Sequence, residues 1–136
     1  MAVAEAVNLI EQNLSAIRSE AWRRSLAHYT EWTANVWLDD WQYRLCERLQ
    51  RLRGETGQRL LVHAPPQHGK SIIVSQRFPA WWLGQNPTSR IKVACYNQSH
   101  SEKFSRVVRG LLEQPDYQEA FPNTVLSNQA RSEEHT

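Results

Sequence analysis

The stretch that decides the expected fold runs from residue 60 to residue 71 and reads Leu60-Leu61-Val62-His63-Ala64-Pro65-Pro66-Gln67-His68-Gly69-Lys70-Ser71. The apolar run over 59–64 has the length and flanks of a buried parallel strand. From Lys70 onward the apolar spacing becomes helical. The residues between match the phosphate-binding pattern G-x-x-x-x-G-K-[ST], with Ala64 in place of the first glycine. The sequence therefore predicts a strand, a phosphate-binding loop and a helix in that order.

This spacing suits the chemistry of a nucleoside triphosphate. Successive backbone N–H groups would wrap a phosphate, and Gly69 would let the backbone approach it closely. Lys70 would supply a positive charge to the β- and γ-phosphates and act as the catalytic residue, while the Ser71 hydroxyl would ligate Mg²⁺. The predicted cofactors are ATP and Mg²⁺. The predicted loop residues are Ala64, Pro65, Pro66, Gln67, His68, Gly69, Lys70 and Ser71.

Outward from this loop, helical patterns alternate with a second strand pattern. Residues 3–29 and about 40–53 have helical spacing, and Asp39 or Asp40 can cap the second helix. After Lys70 the helix should kink or restart at Pro79, a strand is expected over 90–96, and a helix capped by Ser99 over about 100–113. This order predicts an α/β P-loop NTPase fold with a parallel sheet and crossover helices, preceded by N-terminal helices.

Charge is distributed unevenly along the chain, although the formal net charge is only +2. Residues 44–109 hold twelve Arg or Lys against Glu47, Glu55 and Glu102, whereas the flanking segments are acidic. A basic middle segment is expected if it faces nucleotide phosphates or a nucleic acid backbone, and a solvated helix face is the alternative.

Other classes of protein receive less support from the sequence. No apolar run approaches the roughly 20 residues of a membrane span, and the N-terminus lacks the apolar stretch of a signal peptide. Cys46 and Cys95 are expected to be small buried hydrophobic residues in a reducing compartment. His63 and His68 are separated by a Pro-Pro turn, so they are not expected to converge on a metal ion.

Several linked motifs over residues 37–128 resemble the large subunit of phage terminases, the ATPases that package DNA. After the loop itself come Phe78-Pro79-Ala80-Trp81-Trp82-Leu83-Gly84, a segment ending Ala94-Cys95-Tyr96-Asn97, a helix with Glu102-Lys103-Phe104, and Phe121-Pro122. The resemblance implies ATP hydrolysis coupled to movement of double-stranded DNA into a capsid. It also implies a homo-oligomeric motor in the host cytoplasm, with the terminase small subunit and the portal protein as partners and no membrane.

The resemblance adds one site residue and one departure. Gln42, after Trp41, lies where related motors contact adenine, although Trp41 is equally well read as a core residue. Gln67 stands where relatives commonly have an arginine that acts on the γ-phosphate, and glutamine cannot supply that charge. The segment 96–99 resembles one that lies toward DNA or relays the nucleotide state in such motors.

Neither the acidic Walker B strand nor the nuclease domain of that family is recognisable here, so the sequence predicts a truncated chain that alone does not turn over ATP. The expected organisation is a helical lead-in over 1–37, a partial ATPase domain over 38–130 and a non-native tail over 131–136, which reads like a translated sequencing adapter. The alternatives are another nucleic-acid-dependent P-loop ATPase, such as a helicase, and a nucleotide-binding fragment without turnover.

Overall fold

The computed structural model describes residues 2–65 and 69–126, and in these residues every regular element is helical. The predicted α/β P-loop NTPase fold is therefore wrong for the described chain, because no strand or sheet forms in it. Six α-helices make up the fold: α1 Ala2–Arg24, α2 Leu26–Ala34, α3 Asp40–Arg51, α4 Phe78–Gln85, α5 Gln98–Glu113 and α6 Pro115–Ala120. A 3₁₀ turn over Leu52–Gly54 follows α3, and a π-helical segment over Ile72–Arg77 precedes α4.

Neither predicted strand forms, because residues 60–64 and 90–96 have no regular secondary structure. In 60–64 burial alternates, so that Leu60 and Val62 pack against the core while Leu61 is 81% exposed. Residues 90–96 are largely exposed. A sheet requires each backbone N–H and C=O to find a partner on a neighbouring strand. Within the described residues these two segments form no such ladder, which also contradicts their expected parallel pairing.

The N-terminal helical pattern is interrupted once, at Ser25. There α1 ends and α2 begins, with the Ser25 hydroxyl accepting a hydrogen bond from the His28 N–H. The helical spacing of residues 3–29 is thus confirmed, but burial of its apolar positions is not. All five of those positions are exposed by 47–76%: Val3, Val7, Ile10, Leu14 and Ile17.

The predicted second helix is confirmed as α3. Asp39 precedes it, and its backbone N–H donates to Gln42 Oε1 at 2.7 Å, one half of a capping box. Leu45 and Leu49 are buried, and Leu38, Trp41 and Leu52 pack around them as the sequence predicts. Cys46 on the same helix is 1% exposed, and burial raises the pKa of its thiol to about 12.

The helix expected after the loop begins at Lys70 and continues to Gln85. Its irregularity comes before Pro79, in the π-helical segment Ile72–Arg77, where the Phe78 N–H bonds to the Ile73 carbonyl. A wider turn accommodates a proline ring that would otherwise press on the carbonyl four residues earlier. Pro79 thus lies in the first turn of α4, directly after the π segment, and whether the helix axis bends there stays a prediction.

The helix predicted over about 100–113 is confirmed with different ends, whereas the short helix α6 was not predicted. Helix α5 begins at Gln98 rather than about 100, and its cap is Asn97, not Ser99, since Asn97 Oδ1 accepts from the His100 N–H at 2.9 Å. Pro115, where the sequence predicts a turn, is instead the first residue of the short helix α6. The tail 131–136 lies outside the described residues.

The core lies where α4 crosses α1 and α6. Trp81 is completely buried, and its indole N–H donates to the Trp22 carbonyl at 2.7 Å. Trp82, the next residue, is only half-buried, which confirms that consecutive tryptophans on a helix face different surroundings. The sequence predicts that the six tryptophans serve mainly as packing, and the two that contribute least to the core are Trp37, which is 92% exposed, and Trp32, which is 54% exposed.

One hydrophobic cluster unites the N-terminal helices with the rest, since Trp22 and Leu26 belong to the same cluster as Leu49, Ile73 and Phe121. Among residues 2–65 and 69–126, no helix combines the length and apolarity needed to cross a bilayer.

Gly84 should resist even the smallest enlargement. A Cβ built on Gly84 would lie 2.6 Å from Cγ of the buried Phe121 ring, whereas one built on Gly110 in α5 would meet nothing within 4 Å. We expect Gly84→Ala to lower the free energy of unfolding by about 1–3 kcal/mol through overpacking. We expect Gly110→Ala to leave it unchanged or raise it by up to about 1 kcal/mol. Urea denaturation of both variants checks this, and equal effects would refute the close Gly84–Phe121 approach.

The hydroxyl groups of two buried tyrosines should contribute differently to the free energy of unfolding. Tyr117 donates to the Ala80 carbonyl at 2.7 Å, while the Tyr29 hydroxyl is buried without a partner in the described residues. We expect Tyr117→Phe to cost about 0.5–1.5 kcal/mol of stability and Tyr29→Phe to be neutral or stabilising. Thermal and urea unfolding compare the two, and a larger loss from Tyr29→Phe would contradict this assignment.

Candidate phosphate-binding site

The candidate site is the turn that leads into the helix beginning at Lys70. Gly69 has φ of 79°, a left-handed conformation that glycine adopts readily. Lys70 and Ser71 follow as the first helical residues, and both side chains are exposed. The chain therefore reverses at Gly69 and presents a lysine and a serine at the start of a helix, where unpaired backbone N–H groups favour anions.

Gln42 of α3 lies beside this turn. A Cβ built on Gly69 would be 3.0 Å from Gln42 Nε2, so a larger residue at 69 would displace the Gln42 side chain. The same side chain uses its Oε1 to accept from the Asp39 N–H. The glutamine that the resemblance singled out is thus held against the predicted loop by the start of α3, although the two are separated by a long stretch of sequence.

The remaining predicted loop residues are described only in part. Ala64 is half-buried and Pro65 is exposed, in a segment without regular secondary structure. Pro66, Gln67 and His68 lie outside the described residues, so convergence of the loop N–H groups stays a prediction. Gly69, Lys70 and Ser71 remain contiguous, and Gln42 is the one predicted site residue brought to them from another element.

The donors present suit Mg²⁺ only as part of a metal–nucleotide complex. Ser71 offers a single hydroxyl, and the described residues contain no group of three His, Cys, Asp or Glu side chains that could hold a metal ion. Mg²⁺ commonly keeps several waters and takes its other oxygens from substrate phosphates. Ser71 would hold the metal and Lys70 would face the phosphates, and the metal would supply positive charge that offsets theirs.

Sequence reasoning missed a basic stripe on the exposed side of α3. Arg44, Arg48 and Arg51 are spaced four and three residues apart, which places them along one face of the helix. All three are exposed, and none forms an ion pair within the described part of the chain. The i, i+4, i+7 spacing of these arginines was the signal that the sequence offered.

In comparisons with known proteins, no family model, curated protein or solved structure matches this chain.

The contact between Gln42 and Gly69 can be measured as a coupling energy. Gly57 also has a left-handed φ, of 70°, but a Cβ there would meet nothing within 4 Å. Alanine at either position should cost about 1–2 kcal/mol through backbone strain. We expect Gly69→Ala to cost about 0.5–1 kcal/mol more, because it displaces the side chain that caps α3.

A double-mutant cycle tests the source of that excess. In a Gln42→Ala background the extra cost of Gly69→Ala should disappear, while the cost of Gly57→Ala should not change. An excess that survives removal of the Gln42 side chain would show that this side chain does not contact position 69.

Proposed function

We propose that this chain binds Mg-ATP through Lys70 and Ser71 at the helix start and serves as the ATP-binding part of a viral DNA-packaging motor of the large-terminase type. The observation that carries this proposal is the turn itself: a left-handed Gly69 followed by exposed Lys70 and Ser71, with Gln42 against it. This arrangement lies within the string that matches a phosphate-binding pattern. The all-helical architecture contributes no support, so ATP binding is argued from the local site and the motif.

Each component has a role in the proposed complex. The ammonium group of Lys70 neutralises phosphate charge, and the first N–H groups of the helix add donors with the favourable end of the helix dipole. Ser71 meets the Mg²⁺ that accompanies the nucleotide. Gln42 lies beside Gly69 with its Oε1 accepting from the Asp39 N–H, so in this proposal it would support the turn against which the phosphates bind.

Movement of double-stranded DNA requires a surface for the phosphate backbone, and the basic stripe on α3 fits that need. Arg44, Arg48 and Arg51 lie on the helix that also carries Gln42, so one element would connect nucleotide and DNA. Exposed arginines without carboxylate partners bind polyanions by releasing counterions, without reading sequence. Coupling of ATP hydrolysis to DNA translocation, with a portal and a small subunit as partners, belongs to the intact motor in this proposal.

Lys70 should dominate nucleotide binding. We expect Lys70→Ala to weaken Mg-ATP binding at least tenfold, since a hydrogen bond to a charged group contributes about 1.5–3 kcal/mol. Lys103→Ala removes the same charge from an exposed position on α5 and should leave the affinity unchanged. Isothermal titration of the full chain measures both variants.

The same titrations separate the competing possibilities. Absence of Lys70-dependent binding at millimolar Mg-ATP would overturn the proposal. Binding that depends on Lys70, without phosphate release above the Lys70→Ala level, is the expected result for this chain. Lys70-dependent phosphate release would show that the chain is catalytically more complete than predicted.

The α3 stripe should set the salt dependence of DNA binding. We expect the triple change Arg44→Ala, Arg48→Ala and Arg51→Ala to weaken binding of a duplex of any sequence. It should also reduce the slope of log K against log salt by about 0.9 for each phosphate that the protein no longer neutralises. Fluorescence anisotropy with labelled duplexes at several salt concentrations measures the slope.

A control removes two arginines that share one carboxylate partner. Arg23 and Arg24 are ion-paired with Glu20 at 3.3 and 2.6 Å, so Arg23→Ala with Arg24→Ala should change the slope little. Equal effects of the two sets of changes would show that net charge, and not the α3 stripe, governs DNA binding.

A further inference from the structure

An open pocket of about 470 Å³ is lined by residues of α2, of α3 and of the turn that connects them. Its volume falls within the range of about 300–1,000 Å³ that is typical of small-molecule sites. None of Gln42, Gly69, Lys70 and Ser71 lines it, so the pocket is separate from the proposed phosphate site. Its principal lining residues are His28, Glu31, Trp32, Val36, Trp37 and Tyr43.

The turn between α2 and α3 is fixed at both ends. Asn35 has a left-handed φ of 54°, and its N–H bonds to the Glu31 carbonyl near the end of α2. At the other end, the Asp39 N–H donates to Gln42 Oε1 in the capping box of α3. Trp37 lies midway between these capped helix ends, and it is 92% exposed. The backbone is therefore held in place without help from the Trp37 ring, and little ordering of the chain would be needed to present that ring to a ligand.

Three aromatic rings of the pocket are accessible from solvent. Trp37 is almost fully exposed, Trp32 is more than half exposed and Tyr43 is half-buried. Trp32 is also braced by the core, since its ring meets the Trp22 ring edge-on at 6.2 Å. Among the ring contacts of the described chain, none joins two of these three rings. Neighbouring exposed apolar side chains of this size indicate an interaction site, whereas a single one does not.

The charge of the pocket is negative. Glu31 is its one carboxylate, and no lysine or arginine of the described residues lines it. Glu31 is half-buried and forms no ion pair within 2–65 and 69–126. One of its oxygens accepts a hydrogen bond from the Tyr43 hydroxyl, and this bond raises the pKa of Tyr43 to about 12. A partly buried carboxylate without a cation beside it is poorly compensated, so the pocket should attract a positively charged ligand.

We infer that this pocket binds an alkylated ammonium group, such as a quaternary amine. The faces of indole and phenol rings attract cations, and tryptophan attracts them most strongly. A primary ammonium would bring three N–H donors, whereas a quaternary amine brings none. Glu31 is the one carboxylate that could receive such donors, and it already accepts from Tyr43. Exposed rings with a single carboxylate therefore suit a cation that is surrounded by methyl groups.

Three probes of similar size test the two requirements of this inference. Choline carries a trimethylammonium group, ethanolamine replaces it with a primary ammonium, and 3,3-dimethylbutan-1-ol replaces the nitrogen of choline with an uncharged carbon. Each is titrated into the ¹⁵N-labelled full chain while the indole N–H signals are followed by NMR. The Trp32 and Trp37 signals are assigned from Trp32→Phe and Trp37→Phe variants. We expect choline to shift both signals saturably and to bind more tightly than either analogue, by about fivefold or more.

Removal of an exposed ring locates the site. Trp37→Ala should weaken choline binding by about fivefold or more and leave the melting temperature unchanged, because this ring is outside the core. Trp37→Phe keeps a ring and should retain part of the affinity. The matched control is Tyr96→Ala, which removes a ring that is 83% exposed but does not line the pocket, and it should leave choline binding unchanged.

Removal of the charge tests the role of Glu31. Glu31→Gln keeps an acceptor for the Tyr43 hydroxyl and should weaken choline while leaving 3,3-dimethylbutan-1-ol unchanged. Glu5→Gln removes the same charge from an exposed position on α1 and should have no effect on either probe. If Glu31→Gln is too unstable to titrate, the comparison of Trp37→Ala with Tyr96→Ala decides the question alone.

A short peptide with one trimethyllysine presents the same head group on a protein side chain, and the tighter of peptide and choline identifies the source of the ligand. The other outcomes count against the inference. Indole signals that do not saturate would show that no ligand of this class binds. Equal affinities for choline and 3,3-dimethylbutan-1-ol would remove the requirement for charge, and an equal affinity for ethanolamine would remove the requirement for alkyl groups. Choline binding that survives Trp37→Ala would place the ligand elsewhere.

Discussion

The indole of Trp81 is the contact on which the arrangement of the helices depends. Its ring is completely buried, and its N–H donates to the Trp22 carbonyl in the last turn of α1. The Arg53 guanidinium lies 5.7 Å from the centroid of the same ring. Helix α4 is thereby fixed against both the N-terminal helices and the end of α3. Helix α6 packs against α4 at the same place. The Tyr117 hydroxyl donates to the Ala80 carbonyl, and Gly84 leaves room for the Phe121 ring. A hydrogen bond inside a low-dielectric core both stabilises and orients, because leaving either group unpaired there is costly.

The elements that the sequence predicted well are those whose determinants are local. Helix α3 has an apolar face, a preceding aspartate and a glutamine that reaches back to it, and all of these act within one helix. The helix after Lys70 and helix α5 follow from the same kind of pattern. The strand predictions failed because strand pairing is not determined locally. Burial does alternate along residues 60–64. A sheet is a property of two segments, however, and hydrophobicity along one segment carries no information about a hydrogen-bonding partner.

Burial was less predictable than conformation. The apolar positions of α1 repeat at helical spacing, yet Ile10, Leu14 and Ile17 remain more than half exposed because the helix is anchored through its other end. There Arg18 bonds to Asp116 and Glu119, and the buried Trp22 enters the core. In the candidate site, the residues of the motif could be named from the sequence, whereas the approach of Gln42 to Gly69 depends on how α3 packs. The basic stripe on α3 was visible in the spacing but becomes a surface only because the opposite face is buried.

The helix that carries the proposed phosphate site is tied to α2 by one side chain. It begins at Lys70 and passes through the π-helical segment, where the Arg77 guanidinium donates to the Thr33 carbonyl at 3.1 Å and to its hydroxyl at 3.2 Å. Thr33 lies on α2, and the π segment also contacts α5. Burial lowers the pKa of Arg77. A displacement of α2 would have to carry Arg77 with it or break both hydrogen bonds. The position of the lysine proposed to hold phosphate therefore depends on how α2 and the π segment pack, and not only on the motif around it.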